Sequence, residues 1–275
     1  MGKKKRIVTL VTVHAILILL VFTALFPIAL VVLNSFKPHV AIVANPLSWP
    51  ESFIPVNYSS AWSYAKFGIG FKNSIILTAG SLLILILAGS MAGYVLQRRS
   101  DRTTRTVDTI VMTGLMIPPA ILPTIWVMQG LHIYKTMFGM ILVETALQIP
   151  FTIMLYKGFM NTIPVELEEA GYIDGCTRGR MFVKVIFPLL KPVTSTIIIL
   201  NAVTIFNDFT NPLYFLPGND NVTVQLTLYN FMGRYSSSYN LLFADVLIIT
   251  VPMLILFLIF NKKIVDGMVA GAVKG

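Results

Sequence analysis

Charge is scarce in this chain. Only 12% of its 275 residues are Asp, Glu, Lys or Arg, about half the share of an ordinary soluble domain. So few charges cannot cover a water-soluble globule of this size, whereas a surface facing lipid needs none. Cysteine is nearly absent. The single Cys176 excludes an internal disulfide framework and any multi-cysteine metal site. His14, His39 and His132 are dispersed one to a region, so no metal or catalytic cluster follows from them. No Gly-x4-Gly-Lys-Ser/Thr sequence occurs, which removes the usual loop for holding ATP phosphates. No catalytic pair of carboxylates or activated nucleophile pattern marks an intramembrane enzyme. Acids number 12 against 21 bases, a net charge of +9. In a chain that is 56% hydrophobic, this excess reads as cationic cytoplasmic loops on a membrane protein, not as a nucleic-acid surface.

What is present is a series of long apolar runs. A spanning helix needs roughly 20 apolar residues. Residues 7–33 carry no formal charge, His14 being their one ionisable group. Residues 73–96 are uncharged too. A third span is expected over 107–131, with Asp108 at its edge and Pro118, Pro119 and Pro123 inside. A fourth is expected over 136–156 with Glu144 near its middle, a fifth over 189–211, and a sixth over 241–261 with Pro252 inside. Prolines remove helix hydrogen bonds, so kinks are expected where neighbouring helices repair the loss. Segments 1–6, 97–106, 157–191 and 262–275 carry 16 of the 21 Lys and Arg, and the intervening segments carry 5. The positive-inside rule therefore puts both termini in the cytoplasm, as an even number of spans requires. Lys3, Lys4, Lys5 and Arg6 before an apolar run mimic a secretory signal. The run is too long for one and lacks a cleavage site, so an uncleaved first span is expected.

The stretch 162–188 between the fourth and fifth apolar runs is polar. Pro164 suits the opening of a helix, and Glu166, Glu168 and Glu169 then lie at the positive end of its dipole. Leu167, Ala170 and Ile173 form an apolar stripe along it. Gly171 and Gly175 suit a close approach or a sharp bend. A second short helix with Met181, Phe182, Val185 and Ile186 runs to Pro188. Two short helices meeting at a bend make a compact knob below the membrane. The alternative is a solvated linker, against which stand the length of the stretch, the three leading acids and the glycine placement.

This stretch resembles the signature loop of importer-type ABC transporter permeases, which reads Glu-Ala-Ala, three residues, Gly, nine residues, then Ile-x-Leu-Pro. Here Glu169-Ala170-Gly171 is followed by three residues and Gly175, and nine more lead to Val185-Ile186-Phe187-Pro188. Gly171, Val185 and Phe187 depart from the pattern. Further residues resemble the maltose-type, sugar-importing branch: Ile163 to Leu167, Ile173-Asp174-Gly175, Ser35-Phe36-Lys37-Pro38, Asn57-Tyr58 with Ala61-Trp62, Phe206-Asn207-Asp208-Phe209, and the tail Gly271 to Gly275.

The resemblance implies an all-α polytopic membrane protein with six transmembrane helices and the type I ABC importer permease fold. Residues 1–275 would form one transmembrane domain in the bacterial cytoplasmic membrane. It implies a transport subunit, not an enzyme, working by alternating access. The partners would be a second, related permease, two ATPase subunits, an extracytoplasmic solute-binding protein, a carbohydrate and the lipid bilayer, with no nucleic acid. The chain would bind no cofactor, ATP and Mg being used by the ATPases. By the same resemblance Glu166, Glu169, Ala170, Gly171, Asp174, Gly175 and Pro188 form the ATPase-coupling loop. Glu169 would pair with an ATPase cation, Ala170 and Gly171 would pack against the ATPase, and Gly175 would make the bend. The tail Gly271, Ala272, Val273, Lys274 and Gly275 would touch the ATPase pair, the alternative being a frayed end.

Ionisable groups inside a membrane are expensive and default to function. Glu144 lies about 12 Å into the fourth span at 1.5 Å per residue, with Gln148 on the same face. A carboxylate there can accept sugar hydroxyls in charge-assisted hydrogen bonds, or lock helices together as a protonated or paired group. Asn207 and Asp208 fall about 27 Å along the fifth span, near the outer mouth, where they can gate, meet the binding protein or cap the helix. Asn201, deeper, can line the substrate pathway. Gly89 and Gly93 form a G-x3-G step suited to helix packing. The competing readings are an ABC permease for a polyamine, peptide or ion, which the coupling loop permits and the flanks disfavour, and an ATP-independent secondary transporter.

Overall fold

The computed structural model describes residues 3–218, 221–231 and 238–272. Among these, regular structure is entirely helical. The elements are α1 (Lys3–Ser35), α2 (His39–Ala44), α3 (Val56–Tyr64), α4 (Phe67–Arg98), α5 (Arg102–Thr113), α6 (Ile121–Gly130), α7 (Met137–Met160), α8 (Glu166–Ile173), α9 (Arg178–Met181), α10 (Phe187–Leu189), α11 (Lys191–Phe206), α12 (Thr210–Phe215) and α13 (Tyr239–Ala272). A π-helical turn (Phe182–Ile186) joins α9 to α10, and a 3-10 turn (Gln225–Phe231) precedes α13.

Among the described residues, three helices are long and apolar enough to cross a membrane unaided: α1 from Thr9, α4 and α7. The segments Arg178–Leu189 and Lys191–Phe206 pass that test as a pair bent by 72°. The bend falls at Leu190, two residues beyond Pro188, where the sequence suggested the loop would close. Pro192 stands in the first turn of α11, where its missing N–H costs no helix bond. The expected span 107–131 is interrupted. α5 ends at Thr113 and α6 begins at Ile121, with non-helical chain through Pro118 and Pro119 between them. Neither proline can donate to a helix ladder, and the residue before a proline is driven out of the α region. Pro252 by contrast lies inside α13, and Pro150 inside α7, without ending either. Side chains such as Ile18, Leu19 and Phe22 on α1 are more than half exposed, an arrangement that water penalises and hydrocarbon does not.

The described residues fall into two compact units, within Met1–Phe67 with Thr227–Pro252 and within Gly68–Leu226 with Met253–Gly275. In the first, the chain leaving α1 is tied down by polar contacts. Asn57 Nδ2 donates to the carbonyls of Ser35 (2.8 Å) and Lys37 (3.0 Å). Ser35 Oγ meets the Tyr58 hydroxyl at 2.7 Å, Phe36 packs on Phe53 and Tyr58, and Asn240 Nδ2 donates to Asn57 Oδ1 at 2.9 Å. The Ser35-to-Pro38 and Asn57-Tyr58 motifs, separate in sequence, are thus one node. Lys37 is fully buried, its Nζ donating to the carbonyl of Pro46 at 3.1 Å, and burial holds its ammonium below the usual lysine range. Asp245 of α13, also buried, accepts from the Thr227 hydroxyl at 3.0 and 3.2 Å.

In the second unit α4 lies tight against α7 because its glycines leave room. A Cβ on Gly80 would stand 2.7 Å from Ile141, on Gly89 2.6 Å from Thr152, and on Gly93 2.6 Å from Tyr156 Cβ. Small residues permit this approach where lipid supplies no hydrophobic drive between helices. Two cores flank the seam. One gathers Leu77, Leu85, Met128, Met140, Ile205 and Phe215. The other gathers Tyr156, Met160, Met181, Ile186, Leu190 and Ile197 beside the polar stretch.

Candidate functional site

The polar stretch 162–188 folds as an elbow. α8 carries its three glutamates in the first turn and is followed, two residues past its end, by Gly175, whose φ of +79° is left-handed. The Cys176 N–H bonds the Gly171 carbonyl at 2.9 Å and the Gly175 N–H that of Tyr172 at 3.1 Å. This is a Schellman cap, and its positive φ suits a residue without Cβ. The chain therefore turns at Gly175. Beyond it, α9 passes into the π-turn, whose i→i+5 pattern brings Met181 and Ile186, both fully buried, onto one face.

The two faces of α8 differ in kind. Glu166, Leu167, Glu169, Ala170, Tyr172 and Ile173 are exposed, as are Asp174, Gly175 and Pro188. Ile173 is 87% exposed. The expected stripe of Leu167, Ala170 and Ile173 exists, but it points away from the rest of the chain. The buried residues are Glu168 and Gly171. Gly171 sits against Met181, whose Cε lies 2.4 Å from where a Cβ would stand. The tip of Met181 thus fills the space that the signature's second alanine methyl would need.

Glu168, not among the residues singled out for the coupling loop, is the most engaged acid of the elbow. Its Oε1 accepts from Arg98 Nε at 2.6 Å and its Oε2 from the Tyr94 hydroxyl at 2.8 Å. Arg98 Nη2 also donates to the Ile163 carbonyl at 2.9 Å. Gln97 bonds Asn161 one step away. A second ion pair, Lys157 to Asp108 at 2.5 Å, ties α7 to α5. Asp101 caps α5, accepting from the Thr104 backbone N–H at 3.0 Å and hydroxyl at 2.7 Å. These bonds hold its carboxyl below the usual carboxylate range. The central position of Glu168 in Glu-Leu-Glu-Glu, on the face of Gly171 three residues on, was its one local signal. Nothing in sequence pairs it with Arg98, 70 residues earlier.

The expected pathway residues separate into two sets. Glu144 is 1% exposed on α7 and its Oε1 has no hydrogen-bond partner. The Asp208 carboxyl lies near it. Asp208 in turn accepts from Asn211, backbone N–H at 3.1 Å and side chain at 2.5 Å, bracing the start of α12. Asn207 beside it accepts from Gln225 Nε2 at 2.9 Å. Gln148 is half-buried one turn along α7 from Glu144. Asn201 belongs to the helix seam: its amide donates to the Ile197 carbonyl at 2.9 Å and approaches Thr152 Oγ1 at 3.5 Å. Of the tail residues, Gly271 and Ala272 end α13, whereas Val273, Lys274 and Gly275 lie outside the described residues. Among the described residues no three His, Cys, Asp or Glu side chains gather as metal ligands.

Residues 85–268 match the model of the family described as binding-protein-dependent transport system inner membrane component. The chain is similar to the melibiose/raffinose/stachyose import permease protein MelC of Bacillus subtilis, 36% identical over 222 residues that make up 80% of each chain. It is 30% identical to the diacetylchitobiose uptake system permease protein NgcG of Streptomyces coelicolor over 262 residues, 94% of this chain and 87% of that one. Its fold matches a chain in the crystal structure of a bacterial ABC transporter involved in the import of the acidic polysaccharide alginate. There the TM-score is 0.83 over 95% of this chain and 98% of that one, at 19% identity.

Proposed function

The chain belongs to the family of binding-protein-dependent transport system inner membrane components, as a permease of the ABC importers of sugars and oligosaccharides, and we propose that it forms one half of the translocation pathway. In this reading a related second permease forms the other half, two ATPase subunits supply ATP and Mg chemistry, and an extracytoplasmic binding protein delivers the sugar. The chain crosses the membrane six times, on α1, α4, the broken pair α5 and α6, α7, α11 and α13, with both termini in the cytoplasm. The distribution of Lys and Arg supports this orientation.

The observation that carries the proposal is the two-faced α8. Its inner face is locked to the chain by Glu168, while its outer face presents Leu167, Ala170 and Ile173 bare beside Glu166 and Glu169. On a helix of eight residues, such a face is apolar surface awaiting a cover, rimmed by charge. The elbow docks in a groove of the ATPase, Glu169 pairing with a cation there, and closure of the ATPase pair swings the pathway between its two openings. The tail Gly271 to Gly275 adds a second ATPase contact.

Within the membrane, Glu144, Asp208, Asn207 and Gln148 offer the sugar hydroxyls carboxylate and amide partners, and the unpartnered Glu144 Oε1 is the acceptor held for them. The test is purification of the full complex with tagged wild-type chain and with Glu169→Lys. The wild type should bring ATPase subunits with it and take up oligosaccharide, while the variant should retain its fold and lose both. Equal recovery of ATPase and equal uptake in Glu169→Lys would end the assignment. For the pathway, Glu144→Gln should lower uptake while leaving ATPase recovery unchanged.

A further inference from the structure

We infer that Arg98, Glu168 and Tyr94 form a strut through which displacement of α8 passes directly into α4, making α4 the lever that carries motion from the elbow across the membrane. The inference rests on the reading of α8 as the ATPase dock, and Arg98 and Glu168 act as positioning residues.

Peptide connection alone is a poor transmitter here. α8 is entered through the non-helical residues 161–165 and left through the left-handed Gly175, and turns of this kind absorb movement. Side chains close the gap. The Arg98 guanidinium grips two points of the elbow at once, the Glu168 carboxylate at 2.6 Å and the Ile163 carbonyl at 2.9 Å in the turn before α8. Tyr94, one turn back on α4, holds the other carboxylate oxygen at 2.8 Å. Both oxygens of Glu168 are therefore committed to one helix. The pair is shielded, with side chains 17% and 7% exposed, so solvent screens it far less than a surface pair. Tyr94 also packs on Phe182 in the π-turn, ring centres 5.6 Å apart, so α4 touches the elbow on both sides of its bend.

Once gripped, α4 has the form of a lever. It runs unbroken from Phe67 to Arg98 with no internal proline. Its far end is engaged too. Asn73 Nδ2 donates to the Val222 carbonyl at 3.0 Å, and Ser74 Oγ accepts from the Val224 N–H at 2.9 Å. From Asn73 to Arg98 is about 38 Å at 1.5 Å per residue. The contacts of Gly89 and Gly93 with Thr152 and Tyr156 make α4 and α7 move together, and α7 carries Glu144. A pull on α8 thus reaches both the segment 222–224 and the buried carboxylate of Glu144 through packed helix, without passing through the turns flanking α8.

The test uses the complete complex in proteoliposomes, reading sugar moved per ATP hydrolysed. The variants are Arg98→Lys, which keeps the charge and loses the fork, Glu168→Gln, and the pair Arg98→Leu with Glu168→Leu. Replacing a buried ion pair by apolar side chains commonly preserves or raises stability, so the double variant separates folding from transmission. The expected result is ATPase recovery as in the wild type, continued hydrolysis, and sugar moved per ATP down about tenfold in Arg98→Lys and in the double variant, the scale of a lost charge-assisted bond. Wild-type stoichiometry in the assembled double variant overturns the strut. So does failure of all three variants to assemble, since the trio is then a folding element. A wild-type chain that recovers no ATPase instead overturns the docking proposal, a different outcome read in the same experiment.

Discussion

Gly171 is one of three positions where the elbow departs from its family pattern, and the structure turns that departure into a measurement. A methyl at position 171 would stand 2.4 Å from Met181 Cε and 3.1 Å from its Sδ. Carbon atoms settle at about 3.5–4.0 Å, so the Met181 tip must retreat by more than about 1 Å. Met181 is fully buried in the core beneath the elbow, so it has little room, yet the clashing atom ends a flexible chain. Overpacking of this kind costs about 1–3 kcal/mol, here toward the low end. Against it, Gly to Ala inside α8 returns about 1 kcal/mol of helix propensity. The net change for Gly171→Ala should therefore be within about 1 kcal/mol of zero. Met181→Ala alone should cost about 2–5 kcal/mol as a cavity. In that background the clash is gone and the new methyl fills part of the void, so Gly171→Ala should stabilise by about 1–2 kcal/mol more than it does alone. Denaturant unfolding of the wild type and the three variants in detergent gives the coupling. Equal effects of Gly171→Ala in both backgrounds would refute the claim that Met181 takes the methyl's place.

Other outcomes follow from the same geometry. Gly93→Ala should destabilise by about 2–3 kcal/mol, because its methyl meets Tyr156 Cβ at 2.6 Å and the Lys157 backbone at 3.4 Å, atoms that cannot rotate away. Gly158→Ala, two residues beyond Tyr156 with open space at its Cβ, should be neutral or stabilise by up to about 1 kcal/mol. Thermal melts of the two side by side check the contrast. The Asp101 cap lowers that carboxyl's pKa on folding. Its support for α5 is then full above the ordinary carboxylate range and is lost as pH falls through the lowered folded value. Asp101→Asn should flatten the acid limb of stability against pH, and an unchanged limb would exclude the cap as its source.

Much of this protein was legible because it is written in neighbouring residues. Apolar length marked α1, α4 and α7, since a bilayer of fixed thickness sets how many residues a helix must bury. Pro164 and the three glutamates after it placed the short helix, and Gly175 suited the bend beyond it. Pairwise proline effects were legible only in part. Pro118 and Pro119 broke their run into α5 and α6, whereas Pro150 and Pro252 were absorbed, and the difference depends on what surrounds each. Leu167, Ala170 and Ile173 read correctly as a stripe, but a stripe does not say whether it faces its own chain or a partner.

By itself, then, the sequence determined the solvent this chain lives in and the shape of its elbow. Each of these is a sum over adjacent side chains. The tertiary structure alone decided that Glu168 turns inward to Arg98 while Glu169 turns out. It also decided that Met181 stands where a methyl would be, and that Glu144 lies near Asp208. These are meetings between residues far apart along the chain. They are fixed by how closely α4 and α7 can pack and by where a buried charge finds its partner, and no local pattern encodes either.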